Sequence, residues 1–209
     1  DILHCHDHQT GLIPAYLKRL YRTDSAFSRT RAVFTIHNMG YSGLFPRDVM
    51  LRTGFDDAEF YPGSPFEFYG MLNFMKVGIT YADLITTVSP TYAREIQVSK
   101  ESGYGLEGIL GERSADLVGI LNGIDDELWN PEVDSLIPSR YGSRDLSGKL
   151  KNKMTLLQKF GLDESHPEWP VFAMISRIDV QKGFDLVVSI LNYLLSKDVY
   201  FVLLGSGNR

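Results

Sequence analysis

The sequence predicts an α/β protein built on parallel sheets. Short, largely apolar runs, such as 32–37 and 171–175, alternate with helical stretches. In the clearest helix Phe184, Val187, Val188, Leu191, Leu194 and Leu195 recur at helical spacing. Strands apolar on both faces and joined by helices belong to parallel sheets covered on both sides. Residues that carry chemistry gather just after those strands: His6-Asp7, His37-Asn38, Asn122, Arg177 and Gly205-Ser206-Gly207. In such sheets ligands bind at the carboxyl ends of the strands.

The elements follow in order. Residues 2–6 read as a short strand, and 11–20 as a helix with Leu12, Tyr16, Leu17 and Leu20 on one face. Residues 32–37, β-branched and aromatic, predict a second strand. Gly, Asn and Ser make 38–46 a loop, and 71–82 predicts a helix. A third strand covers 84–89, after which Pro90 opens a helix capped by Ser89. A fourth, 117–121, ends at Asn122-Gly123. Residues 124–148 lack periodicity and predict a segment crossing between two units. A charged amphipathic helix over 149–160 is closed by Gly161. Strands at 171–175 and 199–204 flank the apolar helix. The predicted division is 1–123, 124–148 and 149–209. Two half-sheets with facing strand ends would leave a cleft between them. With only two strands, the second unit is expected to leave the Val187, Leu191 and Leu194 face of its helix uncovered.

Composition narrows the class. The 209 residues are 44% hydrophobic and 22% charged, ample for a core. A formal net charge of -5 argues against a nucleic-acid or membrane-surface binder. No run of 18 apolar residues suggests a membrane span. Cys5 is the single cysteine, so no disulfide forms within the chain. The sequence starts at Asp1 inside a predicted strand, without Met, and is expected to be an internal fragment whose targeting region lies elsewhere.

The stretch Ser176-Arg177-Ile178-Asp179-Val180-Gln181-Lys182-Gly183 organises the chain. It joins a buried-type strand to the apolar helix. Arg177 and Lys182 add two cations beside a helix N-terminus, whose free N–H groups favour a phosphate. The plainer alternative is a solvated pair of surface cations. Four weaker signals accompany it. His4, His6 and His8 would share one face of an extended strand and could hold zinc, with Cys5 and Asp7 on the other face. No second ligand cluster stands elsewhere, so Asp7, just past the strand, is the preferred functional residue. His37 ends a strand and either bonds a ligand hydroxyl or caps a loop. Gly103-Tyr104-Gly105-Leu106-Glu107-Gly108 suggests backbone that approaches something closely, or an ordinary loop. Gly205-Ser206-Gly207 is a lone Gly-x-Gly after a strand.

An ordered set of stretches resembles bacterial glycogen synthases and plant starch synthases. They are His4-Cys5-His6-Asp7 with Gly11-Leu12, Thr35-Ile36-His37-Asn38, Thr87-Val88-Ser89-Pro90-Thr91-Tyr92, Tyr104-Gly105-Leu106-Glu107-Gly108, Leu121-Asn122-Gly123 with Trp129-Asn130-Pro131, and Ser176-Arg177 with Gln181-Lys182-Gly183. The resemblance implies a GT-B fold of two Rossmann-like domains, only part of each present. It implies retaining transfer of glucose from ADP-glucose, or UDP-glucose in some relatives, to the non-reducing end of an α-1,4-glucan, with no metal and no further cofactor. By the same resemblance Arg177 and Lys182 hold the donor phosphates, His37 and Asp7 lie near the transferred glucose, and Asn122 lies near the donor; Gly205, from the Gly-x-Gly after the last strand, is also expected to bind the donor. Tyr104, Gly105 and Glu107 belong to a cleft loop. The enzyme would be cytoplasmic in a bacterium or plastidic in a plant.

Two departures matter. The family's Lys-Thr-Gly-Gly-Leu donor loop and its later Glu-Pro-x-Gly stretch are not in this chain, so the fragment alone is expected to be inactive. Where many relatives show Asp-Trp-His, this chain has Asp7-His8-Gln9. The competing readings are another nucleotide-sugar glycosyltransferase of the same fold, a non-catalytic glucan-binding module, and a metallohydrolase built on His4, His6 and His8.

Overall fold

The computed structural model describes residues 1–207. It divides into two compact units, Asp1–Gly123 and Ile124–Arg209. The first holds strands β1 (Ile2–His6), β2 (Arg31–Ile36), β3 (Leu44–Phe45), β4 (Glu67–Phe68), β5 (Met71–Asn73), β6 (Leu84–Thr87) and β7 (Leu117–Gly119). Four of them form an all-parallel sheet in the order β1-β2-β6-β7. The short strands β3, β5 and β4 form a separate antiparallel sheet.

The helices of this unit begin with α1 (Ile13–Ala15), which runs into a π-helical turn over Tyr16–Leu20. The predicted helix at 11–20 is therefore wider-wound at its end, and Leu20 is exposed rather than on the inner face. Helix α2 spans Phe74–Tyr81. Its start corrects the predicted helix over 71–82, because Met71–Asn73 pairs with β3 and β4 as β5. Asn73 stops the strand and starts the helix: its side chain accepts from the Lys76 N–H at 3.0 Å. Likewise the predicted loop at 38–46 contains β3. Helix α3 (Pro90–Val98) begins as predicted, with Pro90 in the first turn and Ser89 Oγ accepting from the Tyr92 N–H at 3.3 Å. Two short helices, α4 (Lys100–Gly103) and α5 (Glu107–Glu112), complete the layer.

Burial explains why the sheet holds. Phe34, Ile36 and Ile85 from the strands pack with Met75, Ile79, Ile96 and Leu110 from the helices. Each fully buried side chain of that size contributes about 1.5–3 kcal/mol. A second cluster, including Met50, Phe55, Phe66 and Leu72, lies under the antiparallel sheet.

The second unit contains α6 (Gly148–Phe160), closed by Gly161 in the left-handed conformation, then β8 (Val171–Arg177), α7 (Phe184–Leu195) and β9 (Tyr200–Ser206). β8 and β9 pair in parallel. No residue of α7 is fully buried; the Val187, Leu191 and Leu194 face expected to be uncovered is half-buried, and Leu186, Ile190 and Tyr193 are exposed instead. Among the described residues, no helix is long and apolar enough to cross a membrane.

Candidate functional site

In the first unit, β1 and β2 run side by side with His6 paired to Thr35, so both chains leave the sheet at the same place. Asp7 is the first residue beyond β1, and its N–H still donates to the Thr35 carbonyl at 2.9 Å. Its backbone then turns sharply, with φ 52° and ψ -172°. That region is nearly glycine-only and costs about 1–3 kcal/mol, a strain that concentrates at functional sites. The turn aims the carboxylate across the strand ends, where Oδ1 accepts from the His37 N–H at 2.8 Å. The His37 ring meets His6, Nε2 to Nδ1 at 3.0 Å. His6 in turn lies against His4, ring centroids 4.2 Å apart. His4 Nε2 reaches Thr35 Oγ1 at 2.7 Å, and Thr35 Oγ1 reaches Thr86 Oγ1 at 2.6 Å. Partial burial, then the neighbouring His4 and His37, lower the His6 pKa, while Asp7 opposes the shift.

This geometry corrects the expected face of three histidines. The positive φ at Asp7 ends the extended chain before His8. His8 enters a 3₁₀ turn, and its Nδ1 meets the Tyr41 carbonyl at 2.8 Å instead. The third ring beside His4 and His6 is His37. Among the described residues, no group of three His, Cys, Asp or Glu is arranged to hold a metal. Cys5 is buried, and burial raises its thiol pKa, so it behaves as a core residue.

The loop after His37 is held by contacts that sequence reasoning did not reveal. The Tyr92 hydroxyl accepts from the Met39 N–H at 3.1 Å, and Asn38 Oδ1 accepts from the Gly40 N–H at 2.9 Å. Burial is the main cause raising the Tyr92 pKa. Tyr104 and Gly105 form a left-handed turn between α4 and α5, with φ 52° and 85°. Gly105 is needed for a second reason: a Cβ there would lie 2.9 Å from Phe68 Cζ. Glu107 opens α5, and its Oε2 is buried without a hydrogen-bond partner among the described residues. Asn122 is exposed beyond β7. That strand stops at Gly119, short of the predicted Leu121, after the Ile120 N–H donates to Thr87 at 2.7 Å.

In the second unit Arg177 is the last residue of β8, opposite Ser206 of β9. Asp179 then caps a 3₁₀ turn, Val180–Lys182, by accepting from the Gln181 N–H at 2.9 Å. Gly183, at φ 73°, reverses the chain into α7. A cavity of about 620 Å³ sits there, lined by Arg177, Asp179, Phe184, Asp185, Ser206 and Gly207 among others. Arg177 faces it directly; Lys182 is exposed on the adjoining turn and is not part of the lining. Gly205 and Ser206, expected beyond the strand, lie inside β9. They pair with Ser176 and Arg177, and Gly205 fits because a Cβ would meet the Ser176 carbonyl at 2.5 Å. Both units thus place polar and charged groups at the carboxyl ends of parallel strands.

Comparisons with known proteins agree with this arrangement. The family described as starch synthase catalytic domain matches residues 1–112. The glycogen synthase of Thermodesulfovibrio yellowstonii is 47% identical over 207 residues, covering 99% of this chain and 41% of the relative. Glycogen synthase 2 of Geobacter sulfurreducens is 48% identical over 208 residues, covering 100% and 42%. The solved catalytic domain of starch synthase IV from Arabidopsis thaliana, bound to ADP and acarbose, superposes with a TM-score of 0.89 at 34% identity, over 100% of this chain and 43% of that one. The fold class is therefore α/β of the GT-B type, with part of each Rossmann-like domain present. The chain belongs to the starch synthase catalytic domain family. It spans about two fifths of the length of the curated relatives it matches.

Proposed function

We propose that the protein containing this chain is a glycogen or starch synthase. It transfers glucose from ADP-glucose to the non-reducing end of an α-1,4-glucan, with retention of configuration. The observation that carries the reading is near-half identity to glycogen synthases along the whole chain. The starch synthase IV structure holds ADP and acarbose, which supports a nucleotide-sugar donor and a glucan acceptor here.

The chemistry suits the residues. When the bond between glucose and a nucleoside diphosphate breaks, negative charge grows on the leaving phosphate. Arg177 supplies a planar, two-pronged cation at the end of β8, Lys182 a mobile point charge, and the start of α7 free N–H groups. Fixed donors of this kind commonly contribute more to catalysis than any other single effect. Asp7 and His37, tied together across β1 and β2, hold the sugar side. Asn122 and Gly205 are assigned to the donor, and Tyr104, Gly105 and Glu107 to a cleft loop. We assign no metal and no further cofactor. The bacterial relatives support a cytoplasmic location. The test is incorporation of glucose into glycogen by the full-length protein, from ADP-glucose and UDP-glucose in parallel, with EDTA present. Faster incorporation from ADP-glucose that survives EDTA is expected. Incorporation from neither donor would sink the reading, and loss to EDTA would overturn the metal-free assignment.

A further inference from the structure

One side chain stands out that neither the strand ends nor the sequence motifs explain. Tyr69 occupies the two-residue tip between the paired residues Phe68 of β4 and Met71 of β5. Both tip residues have positive φ, 50° at Tyr69 and 81° at Gly70, as in type I′ turns. Asn, Asp or Gly suits the first of these positions; a bulky aromatic residue is strained there. Tyr69 is nevertheless 81% exposed, so packing into a core does not account for it.

The tip is braced rather than loose. Glu67 accepts from the Gly70 N–H at 2.7 Å and from the Gly63 N–H at 3.1 Å. Those two bonds hold its carboxyl below the usual carboxylate range. Lys76 Nζ donates to the Glu67 and Ser64 carbonyls at 2.7 and 2.8 Å, tying the hairpin to α2. Phe68 meets Tyr69 edge-on, ring centroids 4.7 Å apart. The same hairpin tip lies over Gly105, with Phe68 and Tyr69 both within 4 Å of where a Cβ would stand. Tyr104, next in line and 52% exposed, carries its hydroxyl over Gly40, two residues from Asn38 and three from His37. Exposed tyrosines therefore lead from the hairpin tip to the loop that follows the strand-end histidine, all within the first unit.

We propose that Tyr69 is a stacking platform for the glucan acceptor, continued toward His37 by Tyr104. The proposal rests on the glucan-synthase reading above and adds the course of the acceptor chain. A glucopyranose ring presents an apolar C–H face that packs on a flat aromatic ring, while its edge hydroxyls bond a phenol. A rigid, exposed aromatic ring offers that contact at small entropic cost, because its position is set before the sugar arrives. Flanking hydrogen bonds and the strained φ maintain the ring outside any core.

The experiment compares Tyr69→Ala, Tyr69→Asn and Tyr69→Phe in the full-length protein. It reads KM for glycogen, KM for ADP-glucose, and retardation by glycogen in native gels. Asn tolerates positive φ, so Tyr69→Asn removes the ring while easing the backbone. Loss of one stacked ring should raise KM for glycogen about tenfold in both Ala and Asn variants and weaken gel retardation. KM for ADP-glucose should stay within about twofold, and Tyr69→Phe should restore most of the acceptor affinity. Acceptor KM and retardation unchanged in Ala and Asn would overturn the proposal. A parent protein that transfers no glucose yet is retarded by glycogen, with retardation lost in both variants, would keep the platform and remove the enzyme reading.

Discussion

Replacing Asp7 separates its two roles, tether and strained turn. The Oδ1 bond to the His37 N–H is charge-assisted at 2.8 Å, and removing such a bond costs about 1.5–3 kcal/mol. Asp7→Ala loses the bond and keeps the strain at φ 52°, so it should destabilise by about 2 kcal/mol. Asp7→Gly loses the same bond but relieves about 1–2 kcal/mol of backbone strain, leaving a net cost of about 0.5 kcal/mol. Asp7→Asn keeps a neutral acceptor and leaves the backbone strain as it is, and should cost about 1 kcal/mol. Thermal denaturation of the three full-length variants should therefore rank Gly, Asn, Ala, with Ala several degrees below the parent. Glucosyl transfer should follow a different order. Gly and Ala both free the His37 backbone and should lose about tenfold or more in kcat/KM, despite unequal stability. If Gly melts as low as Ala, the strain reasoning is wrong. If all three transfer at the parental rate, the Asp7–His37 tether is no part of the site.

Two further predictions concern the same unit. Gly105→Ala forces a left-handed L-residue, about 1–2 kcal/mol, and crowds Phe68, about 1–3 kcal/mol, so thermal melting should show a loss of about 2–5 kcal/mol; a loss below about 0.5 kcal/mol would contradict the close approach. The lowered His6 pKa gives a pH dependence. Between the ordinary histidine value of about 6.5 and the lower folded value, the unfolded chain holds more protons, so stability falls as pH drops through that window and recovers as it rises. Melting temperatures measured across the window should show a shallower slope in His6→Gln than in the parent, and identical slopes would remove His6 as the cause.

The sheet is legible in the sequence because its signals are local. The runs around Phe34, Ile85 and Ile175 are apolar and bounded by breakers, and Ser89-Pro90 and Gly161 mark helix ends by chemistry the chain carries itself. Met71–Asn73 reads as helix because an apolar triplet preceding a helix shares the helix's periodicity; only pairing with β3 and β4 makes it a strand. Gly205 and Ser206 join β9 for a similar reason, since their partners Ser176 and Arg177 lie some thirty residues away. At the site, the residue types and their place at strand ends are readable, and the neighbouring strands explain why Asp7 and His37 meet. The positive φ of Asp7 is not readable, and it redirects His8 and puts His37 beside His6. Tyr69 is hidden because reading β5 as helix removes the hairpin it tips, and a tyrosine there is not the Asn, Asp or Gly that would have signalled the turn.

The donor assignment rests on Arg177 at the end of β8 and Lys182 on the turn before α7. The most direct measurement is kcat/KM for ADP-glucose in full-length Arg177→Ala and Lys182→Ala. Each should fall by about 10²-fold or more, the scale of losing one preorganised charge-stabilising donor. Values within about twofold of the parent in both variants would contradict it.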